Sequence, residues 1–96
     1  GKDELLQIVD LMLNYTIRAL KEKDIGFEIS ESAKKWILEK GTDLKYGARP
    51  LRRTIQRYVE DEISEMILRG TIVSGQTINV DLKEEKLVFE TKWYTH

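Results

Sequence analysis

The sequence predicts an α+β fold, because three helical patterns and three strand patterns follow one another along 96 residues. Apolar residues recur at helical spacing over residues 3–23, 30–40 and about 49–69. Apolar and polar residues alternate over 25–29, 77–82 and 87–90, as in strands with one buried face. The predicted order is therefore helix, strand, helix, helix, strand, strand. With 41% apolar residues, the chain suits one domain, residues 1–96, with a modest core.

Terminal signals mark the predicted helices. Ser30 is a suitable N-cap for the second helix, and Gly41 is expected as its left-handed C-cap. Pro50 falls in the first turn of the third helix, where its missing N–H costs nothing, and Gly70 is expected to end that helix. Residues 83–86 are expected to join the last two strands as a hairpin. Residues 92–96 fit either a frayed end or an aromatic tail that packs.

The third helix is predicted to carry one apolar stripe toward the core. The stripe consists of Leu51, Ile55, Val59, Ile63, Met66 and Ile67. Arg57 is placed to pair with Asp61 four residues later. Trp36 and Tyr58 are interpreted as core or core-edge residues rather than as stacking platforms.

Composition excludes several kinds of site. The chain has no cysteine, and its one histidine, His96, is terminal, so neither a thiolate metal site nor a catalytic Ser/His/Asp or Cys/His set is expected. No phosphate-binding glycine loop is present. A net charge of −1 argues against general nucleic-acid binding. No apolar run reaches membrane-spanning length and no signal peptide is visible, so the sequence predicts a cytoplasmic protein.

The start of the third helix is electrostatically unusual. Arg49, Arg52 and Arg53 occupy its first turns, although a helix N-terminus already carries positive partial charge and prefers acids. One interpretation is that an anion outside the chain completes the site, since backbone N–H groups and arginine forks would then point at the same ligand. The other is that these arginines, with Arg57, pair inside the domain. Their possible partners would be Asp43, Glu60 and Asp61.

The segment that carries these arginines resembles a known motif. Tyr46 followed by residues 47–53, Gly-Ala-Arg-Pro-Leu-Arg-Arg, is similar to the second-sensor motif of the Clp AAA+ unfoldases. Residues 59–70 resemble the ClpC branch more than the ClpB branch, and the likeness covers nearly the whole chain. It implies the C-terminal small, or lid, subdomain of the second ATPase module. It also implies a fold in which a helical layer packs on a small three-stranded sheet.

The resemblance also implies roles for individual residues. Arg49 matches the sensor arginine that contacts the terminal phosphates of the nucleotide. Gly47 and Ala48 match small residues that bring the helix start near the nucleotide, and Arg52 and Arg53 match basic positions beside the sensor. The Walker motifs, pore loop and arginine finger belong to the large subdomain of such proteins and are not in this sequence. The chain is therefore interpreted as a piece of an unfoldase rather than an enzyme by itself.

The implied partners follow from the same resemblance. They are the large AAA+ subdomain of the same chain and a neighbouring subunit in a hexameric ring. The resemblance also allows a ring peptidase of the ClpP type as a partner, which would bind to parts of the parent protein that this sequence does not contain. ATP with Mg²⁺ would be bound by the parent protein and not by this fragment alone. The alternative hypothesis is a stand-alone anion or nucleic-acid binding module that uses the same arginines.

Overall fold

The structure is a computed structural model that describes residues 1–42 and 49–94, apart from the side chains of Lys2 and Arg49. Its helices and strands confirm the α+β prediction and the predicted order. They are α1 (Lys2–Lys21), β1 (Gly26–Ile29), α2 (Glu31–Gly41), α3 (Arg49–Ile55), a π-helical segment (Gln56–Glu60), α4 (Asp61–Arg69), β2 (Gln76–Lys83) and β3 (Lys86–Trp93). No helix in these ranges is both long and apolar enough to span a membrane.

The three strands form one sheet with β2 in the middle. β1 is parallel to β2, and β2 is antiparallel to β3. Ile78 and Val80 on β2 are fully buried, because this face of the central strand is covered by the helices. The opposite face carries exposed ion pairs between Lys92 and Glu28 at 2.9 Å and between Lys83 and Glu90 at 3.1 Å. Exposed pairs of this kind contribute little to stability, so burial on the helical face holds the sheet in place.

The predicted hairpin between the last two strands is confirmed, but its turn is shorter than the expected segment 83–86, because Lys83 and Lys86 pair with each other as strand residues and leave a two-residue turn. Glu84 and Glu85 both have positive φ, 51° and 62°, which corresponds to a type I′ turn. The chain stays bound to the sheet as far as Tyr94, whose N–H donates to the carbonyl of Gly75 at 3.0 Å, while the side chains of Trp93 and Tyr94 are exposed. A Cβ at Gly26 would lie only 3.1 Å from the Tyr94 hydroxyl. Residues 95 and 96, and with them His96, lie outside the described residues.

The N-cap prediction for α2 is confirmed, and this cap also ties the helix to the sheet. The Ser30 hydroxyl accepts from the N–H of Ala33 at 3.1 Å, and the Ser30 N–H donates to the carbonyl of Val80 at 3.0 Å. The Asp81 carboxylate accepts from the N–H of Leu82 at 2.8 Å and from the Ser30 hydroxyl. Both bonds favour the ionised carboxylate and hold the pKa of Asp81 below its usual value. Charge on Asp81 therefore supports the start of α2.

The two glycines expected to end helices behave differently. Gly70 has φ of 74° and caps α4 in the left-handed conformation, as predicted. The prediction for Gly41 is wrong, because Gly41 is the last residue of α2 and Thr42 follows it in an extended conformation. A Cβ at Gly41 would lie 2.7 Å from Leu51 Cδ1 and 2.9 Å from Leu51 Cα. Glycine is therefore required here by the close approach of α3 and not by positive φ.

The predicted third helix is one helical run that contains a π-helical segment, which the sequence analysis missed. Leu51, Ile55, Val59 and Ile63 are all 4% exposed or less, as the stripe predicts. Their spacing is four residues each time, whereas an α-helix turns once every 3.6 residues. A regular α-helix would rotate the last of them away from the first, and the wider π-helical turn at Gln56–Glu60 restores their common direction.

Candidate functional site

The candidate site is built around the start of α3, whose backbone begins at Arg49. Leu51 in the first turns is fully buried and contacts the end of α2 at Gly41, so α3 is held by the core close to its start. The Thr54 hydroxyl donates to the carbonyl of Pro50 at 3.0 Å, which gives one early carbonyl of the helix a second partner. Packing of Leu51 thus holds α3 close to its start.

Two of the predicted site residues are described with their side chains. Arg52 and Arg53 are both exposed, and neither forms an ion pair or hydrogen bond with another described residue. Gly47 and Ala48 lie outside the described residues, and of Arg49 only the backbone is described. Position 49 precedes Arg53 by four residues, so the two positions fall on the same side of the helix.

The arginines do not pair with the described acids that the alternative interpretation requires. Glu60 accepts a hydrogen bond from the Thr16 hydroxyl at 2.9 Å, which joins the π-helical segment to α1. The predicted ion pair between Arg57 and Asp61 is absent from the described residues. The Arg57 guanidinium lies instead over the ring of Tyr58, 5.3 Å from its centroid. Asp43, the remaining candidate partner, lies outside the described residues.

A chain of stacked side chains extends from these arginines to α2. The Tyr58 ring meets the Trp36 ring edge to face with centroids 5.1 Å apart, and Lys40 Nζ lies 5.6 Å from the Trp36 centroid. Trp36 is partly buried against the core, as predicted. The same prediction for Tyr58 is wrong, because Tyr58 is 36% exposed and packs on Trp36 rather than on the core. The participation of Lys40 was missed in the sequence analysis, although its spacing of four residues from Trp36 on one helix is a usable signal.

A positively charged groove results at the junction of α2 and the third helical run. Its volume is about 580 Å³ and it is open to solvent. Lys40, Arg53 and Arg57 line it together with one acid, Asp61. Such a groove can attract an anion, but the described residues contain no general base beside a nucleophile, and no cluster of acids or histidines placed to bind a metal.

Comparison with known proteins shows the family of the chain. The family model for the C-terminal, D2-small domain of ClpB protein matches residues 1–80. The chain is 47% identical over 90 residues to the negative regulator of genetic competence ClpC/MecB of Bacillus subtilis, covering 94% of this chain and 11% of that protein. It is 44% identical over 89 residues to the chaperone protein ClpB of Aquifex aeolicus, covering 93% and 9%. The chain thus spans about a tenth of the length of these relatives.

Proposed function

Because the chain belongs to the family of D2-small domains found in ClpB and ClpC proteins, we propose that it is the nucleotide-sensing lid of a hexameric, ATP-driven protein unfoldase. The observation that carries the proposal is the start of α3. There the family's arginine motif opens a helix anchored by Leu51, and the described arginines Arg52 and Arg53 have no carboxylate partner among the described residues.

The proposed role of Arg49 is to bind the β- and γ-phosphates of ATP held by the large subdomain of the parent protein. Arg52 and Arg53, with Gly47 and Ala48 before the helix, would lie next to the nucleotide. Magnesium would be bound by the large subdomain and would neutralise phosphate charge there. Loss of the γ-phosphate weakens the contact with Arg49, because a charge-assisted bond then loses its strongest acceptor.

When the γ-phosphate is lost, the lid would rotate as a rigid body about a hinge. The close approach of α3 to α2 supports rigid movement, because an added Cβ at Gly41 would lie 2.7 Å from Leu51 Cδ1 and the two helices are therefore closely packed there. We propose that the rotating lid contacts, and moves, the large subdomain of the same chain and the neighbouring subunit of the ring. A ring peptidase of the ClpP type would be contacted by other parts of the parent, which we place in the cytoplasm.

The test is Arg49→Ala in the parent protein. We expect ATP turnover or nucleotide affinity to fall by about tenfold or more, since one charge-assisted contact contributes about 1.5–3 kcal/mol. Arg69→Ala is the matched control, because Arg69 is exposed at the other end of the helical run and, within the described part of the chain, pairs with Glu65 alone, at 3.2 Å. Unchanged ATPase and unfolding rates in the Arg49 variant would refute the sensing role.

The fragment itself is expected to neither hydrolyse ATP nor bind it tightly. One arginine contact contributes less than association costs in lost translational and rotational freedom. Calorimetric titration with a non-hydrolysable ATP analogue and a phosphate-release assay with Mg²⁺ test both expectations. Micromolar affinity for the ATP analogue, or ATP turnover that survives repurification, would show that the fragment contains a complete nucleotide site.

The alternative hypothesis of a stand-alone anion or nucleic-acid binding module uses the groove lined by Lys40, Arg53 and Arg57. The net charge of −1 counts against it. Duplex binding with a steep salt dependence in the isolated chain would favour this alternative over the lid.

A further inference from the structure

The groove at the junction of α2 and the third helical run, called here the basic groove, holds cations that lack a carboxylate partner among the described residues. Lys40, Arg53 and Arg57 line it, with Asp61 as the one described acid. None of the three cations forms an ion pair within the described ranges. The aromatic rings beside Lys40 and Arg57 attract these cations without neutralising their charge. Three cations against one acid leave the groove positive, so it favours an acidic occupant.

A nucleotide bound at position 49 does not account for this charge. Arg57 follows position 49 by eight residues, which corresponds to about 12 Å along the helical run. A phosphate bound there would have Arg53 beside it and would leave Arg57 without a partner. Asp61 also lies in the basic groove, where it would repel a polyphosphate or a nucleic-acid backbone that extended along the groove. Separate carboxylates of a protein segment fit these charges better than a continuous polyanion does.

A second groove adjoins the basic groove and is lined in part by apolar side chains. Its volume is about 730 Å³, and we call it the apolar groove. The apolar side chains that line it include Trp36, Met66, Leu87 and Phe89. Arg57 and Tyr58 line both grooves, so the two grooves meet at these residues and form one continuous surface.

The apolar groove is balanced in charge apart from the shared Arg57. Two acids, Glu62 and Glu65, line it together with two bases, Arg69 and Lys86, and Arg69 is already paired with Glu65 at 3.2 Å. A carboxylate placed there would face Glu62 and would find little excess positive charge. Acidic residues of an occupant are therefore directed to the basic groove, and its apolar residues to the apolar groove.

We propose that the two adjoining grooves are a docking surface for a segment of a partner protein in which a run of acidic residues adjoins a run of apolar residues. The acidic run binds Lys40, Arg53 and Arg57, and the apolar run covers the side chains of the apolar groove. Such an occupant neutralises the excess charge and also removes apolar surface from water. The contact belongs to the weak, transient class, because both grooves are open to solvent. The inference does not require a nucleotide at Arg49 and is independent of the proposed sensing.

The first experiment titrates the chain with four synthetic peptides and follows its amide NMR signals. The main probe joins a block of glutamates to a block of alternating leucine and serine. The other peptides are each block alone and an interleaved sequence of the same composition as the probe. We expect the joined peptide to bind about tenfold or more tightly than either block, because its second contact is intramolecular. The glutamate block should shift the signals of Lys40 and Arg57, and the leucine block those of Met66 and Phe89.

The second experiment reverses charges in the basic groove. Arg57→Glu and Lys40→Glu should each weaken binding of the joined peptide by about fivefold or more, because an attraction is replaced by a repulsion. Asp61→Lys should strengthen binding of the glutamate block alone. Arg18→Glu, an equal charge change at an exposed residue that lines neither groove, is the control and should bind like the wild type. The leucine block should bind all these variants equally, which verifies that each is folded.

Four results would overturn the proposal. One is the absence of saturable binding of the joined peptide to the wild type. Another is equal binding of the joined and interleaved peptides, because composition alone would then be recognised. The third is an Arg57 variant that binds the joined peptide as well as the Arg18 control does. The fourth is tighter binding of inorganic tripolyphosphate or a DNA duplex than of the joined peptide, which would make the basic groove a site for polyanions.

Discussion

Replacing Gly41 by alanine tests how much the close contact between α2 and α3 contributes to stability. The new Cβ would lie 2.7 Å from Leu51 Cδ1 and 2.9 Å from both Leu51 Cα and Thr54 Oγ1. The Leu51 side chain can rotate, but its Cα cannot move without α3, so the helix itself must shift. Overpacking of this kind costs about 1–3 kcal/mol. Alanine returns about 0.5–1 kcal/mol through its better helix propensity, so we expect a net loss of roughly 1–2 kcal/mol.

Equilibrium unfolding in urea measures this loss directly, with Glu39→Ala as the control because Glu39 is exposed on the same turn of α2. The control should stay within about 0.5 kcal/mol of the wild type. An amide NMR spectrum of the alanine variant should also show its largest changes in α3, starting from Leu51. Stability equal to or above that of the wild type would mean that α2 and α3 separate freely, and it would remove the structural support for rigid movement of the lid.

Three further predictions test the core, the sensor position and the sheet. Ile55→Ala should cost about 2–5 kcal/mol in a urea melt, because Ile55 is 3% exposed, and a loss below about 0.5 kcal/mol would place this face at the surface. Arg49→Ala should leave the isolated fragment within about 0.5 kcal/mol of the wild type, whereas strong destabilisation would make Arg49 an internal ion-pair partner. The lowered pKa of Asp81 means that the unfolded chain binds the proton more readily, so its stabilising effect is present above about pH 4 and is lost as pH falls through the lowered value. Asp81→Asn should therefore flatten the acid limb of a stability-against-pH curve, and an unchanged limb would contradict this.

The parts of the fold that follow local rules could be predicted from the sequence. Ser30 begins α2 through a hydrogen bond with Ala33, and Gly70 ends α4 through its positive φ. Both signals lie within a few residues of the helix end, and both predictions are confirmed. Gly41 has the same local signal as Gly70, but its role depends on Leu51, which arrives from another helix. Sequence spacing alone does not distinguish a glycine that needs positive φ from a glycine that needs empty space.

The candidate site was predictable in position and less so in its contacts. The arginine-rich start of the third helix was evident from charge order along the chain. Arg57 stacks on its sequence neighbour Tyr58, where the ring face competes with the expected carboxylate of Asp61, and Lys40 stacks on Trp36 one turn earlier on α2. The tertiary contact is that between Trp36 and Tyr58, which joins α2 to the π-helical segment. The π-helical segment was also missed, although four apolar residues spaced by four are a pattern that a regular α-helix cannot bury on one side. The role of Arg49 remains a prediction from the resemblance.

The parallel pairing of β1 with β2 has a consequence for the order of folding. The two strands enclose a loop of about fifty residues that includes α2, α3 and α4, and closing a loop of that length costs roughly 3.5 kcal/mol of chain entropy. The hairpin of β2 and β3 has a turn of two residues and can form within microseconds. We therefore expect β1 to dock late, after the enclosed helices have shortened the loop. Changes in β1 should then alter the unfolding rate far more than the folding rate, because its contacts are absent from the transition state.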